Sequence, residues 1–321
     1  YPTAIAAAGC LLQYVQNTQR MVLPHIRGLS IDQHETAVIL DTVSRRNLEI
    51  THSLSGHKDH TLAGVIDKAS TPMGSRLLRR WLNRPIRDQQ ILQQRYHCVA
   101  TLLLNNQYER LQPSLIQIGD IERVLTRFAL KTARPRDFER LKIALDTLPE
   151  LEQELLNIED PLVRLLMQQI STYPQLYELL DKAIIENPPI LIRDGGVIAS
   201  GYDPALDELR NIQKNAHQFL IDLENREKQR SDISNLKVNY NRVHGYYIEV
   251  SRLHSDRVPE NYQRRQTLKA TERYITPELK EFEEKVLSAN EKALALEKAL
   301  YDDLFERISP FLAALQETAQ A

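Results

Sequence analysis

Residues 236–251 read LKVNYNRVHGYYIEVS, and residues 276–289 read TPELKEFEEKVLSA. In the first stretch, apolar and polar residues alternate on both sides of the turn-forming segment 241–245, which is the pattern of a β-hairpin. In the second stretch, Thr276 suits a helix N-cap, Pro277 the first turn and Glu278 the positive end of the helix dipole. The change of period from two to about 3.6 predicts a small β-rich module that ends where a long helix begins.

Two long helices flank this module in the sequence. Before it, apolar residues from Leu206 to Leu223 recur at intervals of three and four, which predicts one helix to about residue 232. After it, a similar seam runs from Leu279 to Leu300, as in helices that pack like a coiled coil. A helix of roughly 40 residues from Pro277 would extend on the order of 60 Å. We therefore predict an antiparallel helix pair with the β-rich module at its tip, where residues 265–275 can pair with the hairpin.

The remainder of the chain reads as a helical core. The 321 residues are 42% apolar and 26% charged, with only 10 glycines and 15 prolines, a composition that favours a globular, helix-rich protein. Residues 88–183 read as amphipathic helices separated by Pro113, Pro135, Pro149 and Pro174. Around Asp194-Gly195, residues 190–199 alternate and predict a small hairpin. The predicted fold class is mainly α: a helical core and a long helix pair that carries a β-rich insertion.

Cysteine usage and the N-terminal sequence bear on the compartment. Cys10 and Cys98 form no C-x-x-C or Cys/His metal spacing, so a disulfide framework and a zinc ribbon are not indicated. Residues 1–19 carry no charge but include Gln and Asn, and they match neither a signal peptide nor a membrane span. We expect a cytoplasmic protein. The start at Tyr1 rather than Met suggests a piece of a longer chain.

Positive charge is concentrated between residues 226 and 280. This segment holds twelve Lys and Arg residues against seven Asp and Glu, a net charge of +5, whereas the rest of the chain carries −7. Amide and hydroxyl side chains are interspersed with the cations, and such groups donate well to phosphate oxygens. A basic tip on an acidic arm therefore indicates a polyanionic partner, with an ordinary charged surface as the alternative.

The composition of the tip also bears on how it would bind. Nothing in it resembles a helix that reads base edges, so binding to nucleic acid should be independent of sequence and sensitive to salt. Four tyrosines, Tyr240, Tyr246, Tyr247 and Tyr274, can stack on bases, but their alternating positions favour the core of the module.

Other clusters of polar residues have simpler explanations. His52, His57, Asp59 and His60 crowd around Gly56 without a recognisable metal-ligand spacing, so a polar surface loop is favoured over a metal-dependent enzyme. The arginines of residues 76–87 fit a solvated helix face or ion pairs better than a nucleic-acid contact. The sequence contains no G-x-x-x-x-G-K-[S/T], G-x-S-x-G or H-E-x-x-H motif, and we predict that the chain is not itself an enzyme.

Six motifs, in this order, resemble the middle part of the MutS family of bacterial DNA mismatch-recognition proteins. They are Arg45–Ile50 (RRNLEI), Thr71–Arg76 (TPMGSR), Thr132–Asp137 (TARPRD), Arg193–Gly201 (RDGGVIASG), Val243–Ile248 (VHGYYI) and Arg264–Lys269 (RRQTLK). Several separate motifs in register are far more specific than any one alone.

The resemblance implies a domain organisation and a role. Residues 1–30 would be the end of a connector domain, 31–216 the helical core and descending lever, 217–276 the clamp, and 277–321 the returning lever helix. In that family the clamps of a dimer close over double-stranded DNA and contact its backbone without reading sequence. Asn241 would lie in the clamp turn, and Lys269 and Ala270 in its last strand. The candidate residues for contact with the DNA backbone are Lys237, Asn241, Arg242, His244, Arg264, Arg265, Gln266, Thr267, Lys269 and Arg273.

The resemblance also implies partners and cofactors. The family's ATPase domain, with ATP and Mg, would lie outside these residues, as would the mismatch-reading domain, so no cofactor is expected here. A homodimer and a MutL-type partner protein are implied in bacterial cytoplasm. The alternative hypothesis is a structural coiled-coil module that binds another protein and does not bind DNA.

Overall fold

The computed structural model describes residues 1–19, 26, 37–241 and 245–321. Within them the chain is mainly helical with one four-stranded antiparallel sheet, which confirms the predicted fold class. It divides into two compact units, Tyr1–Val197 with Asp302–Ala321, and Ile198–Tyr301. Every helix in the described ranges is too short or too polar to cross a membrane. The domain boundaries implied by the resemblance remain predictions.

Helices account for most of both units. In chain order they are α1 (Pro2–Gln19), α2 (Thr42–Asn47), α3 (Leu62–Ile66), α4 (Pro72–Asn83), α5 (Gln89–Leu103), α6 (Gln107–Ile118), α7 (Ile121–Ala129), α8 (Pro135–Leu156), α9 (Pro161–Met167), α10 (Pro174–Ala183), α11 (Pro204–Ser231), α12 (Pro277–Ile308) and α13 (Leu312–Gln320). Several begin at proline, whose fixed φ and missing N–H suit the first helical turn. Short 3-10 helices lie at Lys58–His60, Leu104–Asn106, Ile192–Asp194, Arg252–Arg257 and Ser309–Phe311.

Two of the prolines predicted to separate helices lie inside them instead. Pro113 is within α6 and Pro149 is within α8. Proline in a helix removes one backbone hydrogen bond. Both helices bury apolar residues on either side of the proline, such as Leu111 and Ile118 in α6. Burial of these faces outweighs the loss of one hydrogen bond, and the prediction of a break at both positions was wrong.

The core of the first unit is built around three phenylalanines. Phe138 of α8 lies with its ring centroid 4.6 Å from that of Phe128 in α7 and 5.2 Å from that of Phe305, both edge-on. Leu125 and Leu141, on the same two helices, are fully buried. In α7 the apolar residues recur at helical spacing, which gives one buried face.

The predicted antiparallel helix pair forms most of the second unit. Arg210 of α11 pairs with Glu297 of α12, Phe219 stacks on Phe282, and Arg226 pairs with Glu278. Because the residue numbers rise along α11 as they fall along α12, the two helices lie side by side in opposite directions. This confirms the helix pair that the apolar seams predict.

The second long helix begins where expected and ends early. The Oγ1 of Thr276 accepts a hydrogen bond from the N–H of Leu279 at 3.2 Å, as an N-cap does. The helix then runs for 32 residues rather than roughly 40. Pro310 follows directly in a 3-10 helix, because proline cannot continue the backbone hydrogen bonds of an α-helix.

Four strands form the sheet of the second unit: β1 (Lys237–Asn241), β2 (Gly245–Ser251), β3 (Gln263–Thr267) and β4 (Thr271–Ile275). Their order is β1-β2-β4-β3, with every neighbouring pair antiparallel. This confirms the hairpin of residues 236–251. Of residues 265–275, which were predicted to pair with the hairpin, β4 does so through β2, whereas the residues in β3 pair with β4 instead.

One face of the sheet packs on the helix pair. Val238, Ile248 and Tyr274 are cross-strand partners and therefore share a face. Ile248 and Tyr274 belong to a buried cluster that includes Leu223 of α11 and Leu279 of α12. We call this the inner face of the sheet, and the opposite side the outer face.

The segment at residues 190–199 is not the predicted hairpin. It contains the 3-10 helix Ile192–Asp194, followed by Gly195 and Gly196 with φ of +72° and +74°. The tight turn expected at Asp194-Gly195 is therefore present, but the flanking residues do not pair with each other as strands. Instead the N–H of Ile185 donates to the carbonyl oxygen of Val197.

Candidate nucleic-acid interface

A row of polar side chains crosses the outer face of the sheet. Lys237 pairs with Glu249, Glu249 with Arg273, and Arg273 with Gln266, so one residue from each strand stands in line. Lys237 is exposed, whereas Glu249, Arg273 and Gln266 are partly buried. This row brings together three of the ten candidate DNA-contacting residues.

Arg273 makes more contacts than the other cation in that row, Lys237. Its Nε lies 3.2 Å from Oε2 of Glu249, and its Nη1 donates to Oε1 of Gln266 at 3.0 Å. The guanidinium also lies 4.3 Å from the ring centroid of Tyr247, within the range of a cation–π contact. With only 17% of its side chain exposed, Arg273 organises the outer face more than it reaches into solvent.

Arg264 lies on the other side of the sheet. It pairs with Tyr274 and therefore shares the inner face, at the edge strand β3, where 63% of its side chain remains exposed. Its Nη1 is 3.6 Å from Oε1 of Glu272, a carboxylate that is buried. Thr267 pairs with Glu272 and shares this side. The cations of the tip are thus divided between both faces of the sheet.

The β3–β4 hairpin presents the remaining described candidates. The register shifts between Arg264 and Gln266, which places the exposed Arg265 at a bulge. Lys269 and Ala270 lie in the turn, not in the last strand as the resemblance implied. The N–H of Leu268 donates to the carbonyl oxygen of Thr271 at 2.8 Å and closes this turn. A turn places Lys269 in solvent, with no carboxylate within ion-pair distance in the described part of the chain.

The β1–β2 hairpin is described only in part. Asn241 ends β1 and is partly buried. Arg242 and His244 lie outside the described residues, so their placement stays open.

The charge of the tip is balanced locally more than the sequence suggested. At least seven of its cations lie within 4.0 Å of a carboxylate: Arg226, Lys228, Arg230, Arg252, Arg257, Arg264 and Arg273. Burial of Glu224 acts to raise its pKa, but hydrogen bonds from Lys228 and the N–H of Val238 outweigh burial and lower it. Lys237, Lys269 and Lys280 are exposed cations that make no such pair among the described residues, and of these Lys237 and Lys269 lie in the sheet module whereas Lys280 lies on α12.

The tyrosines of the module divide into packed and exposed rings. Tyr274 is buried and Tyr246 partly buried in the apolar cluster on the inner face, as predicted for the core of the module. Tyr247 is also buried, but on the outer face against Arg273 and outside that cluster, so the prediction for Tyr247 was wrong. Tyr240 is 49% exposed, although its ring lies 4.8 Å from that of Tyr246. The prediction for Tyr240 was wrong, because β1 is an edge strand and its end is not covered by the helices among the described residues.

Two buried carboxylates of the tip were not identified by sequence analysis. Glu227 of α11 accepts a hydrogen bond from the Tyr262 hydroxyl at 2.7 Å, and Glu272 of β4 accepts one from the Tyr274 hydroxyl. Burial, and then the bond to Glu227, raise the pKa of Tyr262 well above its usual range. Burial likewise raises the pKa of Tyr274 to about 12. Both glutamates sit in highly charged stretches, and nothing in the sequence pattern distinguishes them from exposed ones.

The arginines of α4 form ion pairs, as the sequence favoured. Arg76 binds both oxygens of Asp120, at 2.7 and 2.8 Å, and also Glu122 at 2.7 Å. Arg79 lies 3.4 Å from Asp67.

The histidine loop gathers two rings. His57 and His60 lie with their centroids 5.2 Å apart. Over the ranges that the structure describes, no group of three or more His, Cys, Asp or Glu side chains is arranged to hold a metal ion.

The fold defines a class of mainly helical protein in which a long antiparallel helix pair carries a small four-stranded antiparallel sheet. The family model of MutS domain III matches residues 43–321. The chain therefore belongs to the MutS family of mismatch repair proteins, and this match covers the helical core, the helix pair and the sheet.

Proposed function

We propose that the sheet at the tip of the helix pair grips the backbone of double-stranded DNA without reading its sequence. The observation that carries this proposal is the pair of exposed cations, Lys237 and Lys269, in a segment of net charge +5 within a MutS-family chain. Arg265 at the bulge, with Asn241, Gln266 and Thr267 as neutral donors, would add to the contact. Arg242 and His244 belong to the same proposal by sequence alone.

The type of contact follows from the side chains that are available. Lysine ammonium groups on turns and strand ends bind phosphates as point charges and carry no information about bases. Each phosphate neutralised in this way releases counterions, so affinity should fall steeply as salt is added. Arg273 and Arg264 would contribute mainly by orienting the sheet, since each is already bound to a carboxylate of the module.

The helix pair would transmit the state of this grip to the ATPase of the intact protein. Two contacts join α11 and α12: the stacked rings of Phe219 and Phe282, and the ion pair of Arg210 with Glu297. Such contacts would let the two helices move together. ATP and Mg would bind in the family's ATPase domain, and no catalytic role is proposed for the residues of this chain. The family implies a homodimer and a MutL-type partner protein, and we propose both for this chain. We also propose that the protein acts in the cytoplasm.

Charge reversal at the tip tests this function. Lys269→Glu, and Lys237→Glu separately, should weaken binding to any duplex and reduce the slope of log affinity against log salt by about one each. Lys292→Glu, at an exposed position on α12, makes the same change in net charge away from the sheet. Titration of fluorescent duplex DNA at several salt concentrations measures both quantities. Equal losses in the tip variants and the Lys292 control would contradict the proposal.

The alternative function is a structural module in which the tip binds an acidic protein surface. The apolar seam between α11 and α12 suits such a role as well. Competition separates the two hypotheses. If the tip binds DNA through Lys237 and Lys269, generic duplex DNA should displace an acidic protein ligand from it. If the tip binds only protein, the same DNA should leave that ligand bound.

A further inference from the structure

Glu249 stands between the two cations of the polar row on the outer face. Its cross-strand partners are Lys237 on β1 and Arg273 on β4, so the three side chains share this face of the sheet. Neighbouring strands lie about 4.8 Å apart, which puts roughly 10 Å of sheet between the two cations. The row therefore runs from an exposed cation, through a carboxylate, to a cation that is mostly buried.

The Arg273 guanidinium is already engaged at both of its hydrogen-bonding edges. Its Nε donates to Oε2 of Glu249 at 3.2 Å, and its Nη1 donates to Oε1 of Gln266 at 3.0 Å. A bidentate bond to phosphate uses either Nε with one terminal nitrogen or the two terminal nitrogens together. A phosphate that binds Arg273 in this way would have to displace Glu249 or Gln266.

Of these two acceptors, Glu249 is the stronger competitor. Hydrogen bonds to a carboxylate are about twice as strong as those to a neutral amide such as that of Gln266. Glu249 exposes 27% of its side chain, so its pair with Arg273 is screened less than an ion pair in open solvent. Its negative charge also repels a phosphate that approaches Arg273.

We propose that Glu249 competes with DNA phosphates for Arg273 and so limits the grip of the tip on DNA. This inference rests on the proposed function. With the carboxylate in place, the outer row offers Lys237 to phosphate and keeps Arg273 bound within the sheet. A neutral side chain at position 249 would release the guanidinium for one further phosphate contact.

Removal of the carboxylate charge tests this role. Glu249→Gln keeps the size of the side chain, and it should tighten binding to random-sequence duplex DNA at moderate salt by roughly three- to tenfold. It should also steepen the slope of log affinity against log salt by about one, because one more cation meets phosphate. Glu260→Gln removes the same charge at an exposed position before β3 and should change affinity less than about twofold, because solvent and salt screen it.

A double variant shows whether the gain comes from Arg273. Glu249→Gln combined with Arg273→Gln has the net charge of the unmodified chain but no guanidinium at position 273. This variant should lose both the gain in affinity and the steeper salt slope of Glu249→Gln. If it binds DNA as tightly as Glu249→Gln alone, Arg273 is not the group that the carboxylate restrains, and the inference is overturned.

A second charge-removing variant guards against an effect of shape. Glu249→Thr replaces the carboxylate by a residue that suits a strand, and it should also tighten binding. Thermal unfolding monitored by circular dichroism reports whether each variant folds. The inference is overturned by unchanged or weaker binding in both Glu249 variants, by equal gains with Glu249→Gln and Glu260→Gln, or by loss of the fold in both Glu249 variants.

The outcome is distinguishable from failure of the proposed function. If Lys269→Glu weakens binding but Glu249→Gln leaves it unchanged, the DNA grip stands and the competition by Glu249 does not. If the unmodified chain and Glu249→Gln both fail to bind duplex DNA at low salt, the proposed function itself fails.

Discussion

Two tyrosine–glutamate pairs inside the tip module show how single residues secure the sheet on its helices. Tyr262 reaches Glu227 of α11, and Tyr274 bonds to Glu272 within the same strand. A buried carboxylate with too few donors is expensive, and each hydroxyl is the closest donor to its partner. Arg230 lies 3.5 Å from Glu227, and Arg264 lies 3.6 Å from Glu272. These pairs could not be predicted from the sequence, because only the register of the sheet sets Tyr262 against a helix that looks solvent-exposed.

Removing one hydroxyl should therefore destabilise the module. Tyr262→Phe keeps the ring but removes the hydroxyl that donates to Oε2 of Glu227 at 2.7 Å, and leaves Arg230 at 3.5 Å from Oε1. We expect a loss of about 1–3 kcal/mol in the free energy of unfolding, measured by urea denaturation. Tyr240→Phe removes a hydroxyl from a ring that is half exposed and should change stability by less than about 0.5 kcal/mol. Equal effects of the two substitutions would show that the bond to Glu227 contributes nothing.

The raised pKa of Tyr274 predicts a specific sensitivity to alkali. Burial, and then the bond to Glu272, raise this pKa from 10.0 to about 12, so the folded protein holds the proton more tightly than the unfolded chain. This contribution to stability is complete below pH 10 and is lost as the pH rises from 10 to about 12. The loss amounts to roughly 2–3 kcal/mol. Urea unfolding across this range should show a steeper decline for the unmodified chain than for Tyr274→Phe, and parallel declines would refute the assignment.

At the scale of elements, the contact between α11 and α12 combines a buried ion pair with an exposed one. Arg210 and Glu297 expose only 18% and 3% of their side chains, and Glu297 also accepts from the N–H of Ile198 at 2.9 Å. Arg226 and Glu278 lie further along the same pair of helices and are about half exposed. Desolvation makes the loss of one partner far more damaging in the first pair than in the second.

This difference sets the expected ranking of two substitutions. Arg210→Ala leaves a buried charge and should lower the free energy of unfolding by about 3 kcal/mol. Arg226→Ala, with the same loss of side chain at an exposed position, should lower it by less than about 1 kcal/mol. Chemical denaturation of both variants gives the comparison. If Arg226→Ala proved the more damaging, the buried pair would not be what joins the helices.

The elements also show what periodicity can and cannot predict. The seams of α11 and α12 and the alternation in β1 and β2 identified the helix pair and the sheet, because one face of each element must be buried. The strand order β1-β2-β4-β3 and the bulge at Arg265 depend on contacts between distant segments. The alternation of apolar residues wrongly predicted a hairpin at residues 190–199, where a 3-10 helix and two glycines with positive φ replace the strands. The local pattern also failed at Pro113 and Pro149, where tertiary burial overrides local propensity.

At the scale of the whole molecule, the uneven charge matters more than the near-neutral total. The tip segment carries +5 and the remainder −7, and the internal ion pairs of the tip leave this excess unchanged while they order the side chains. The predicted basic tip is therefore real as a net charge. Its cations are spread over the two faces of the sheet and the β3–β4 turn. This distribution could not be predicted from the sequence, because the face on which a side chain lies depends on the register of the strands.

Such a distribution predicts how DNA of different kinds should bind. If the proposed function holds, the exposed donors of the tip, Lys237 and Lys269 foremost, contact phosphates and not base edges, so affinity should be the same within about twofold for duplexes of unrelated sequence. A duplex with one mismatched pair should bind no better than its matched counterpart. The salt slope should be similar for all of them and smaller for single-stranded DNA, whose lower charge density releases fewer counterions per contact. Competition titrations with matched, mismatched and single-stranded oligonucleotides provide the measurement, and a clear preference for the mismatch would mean that residues other than these cations recognise the DNA.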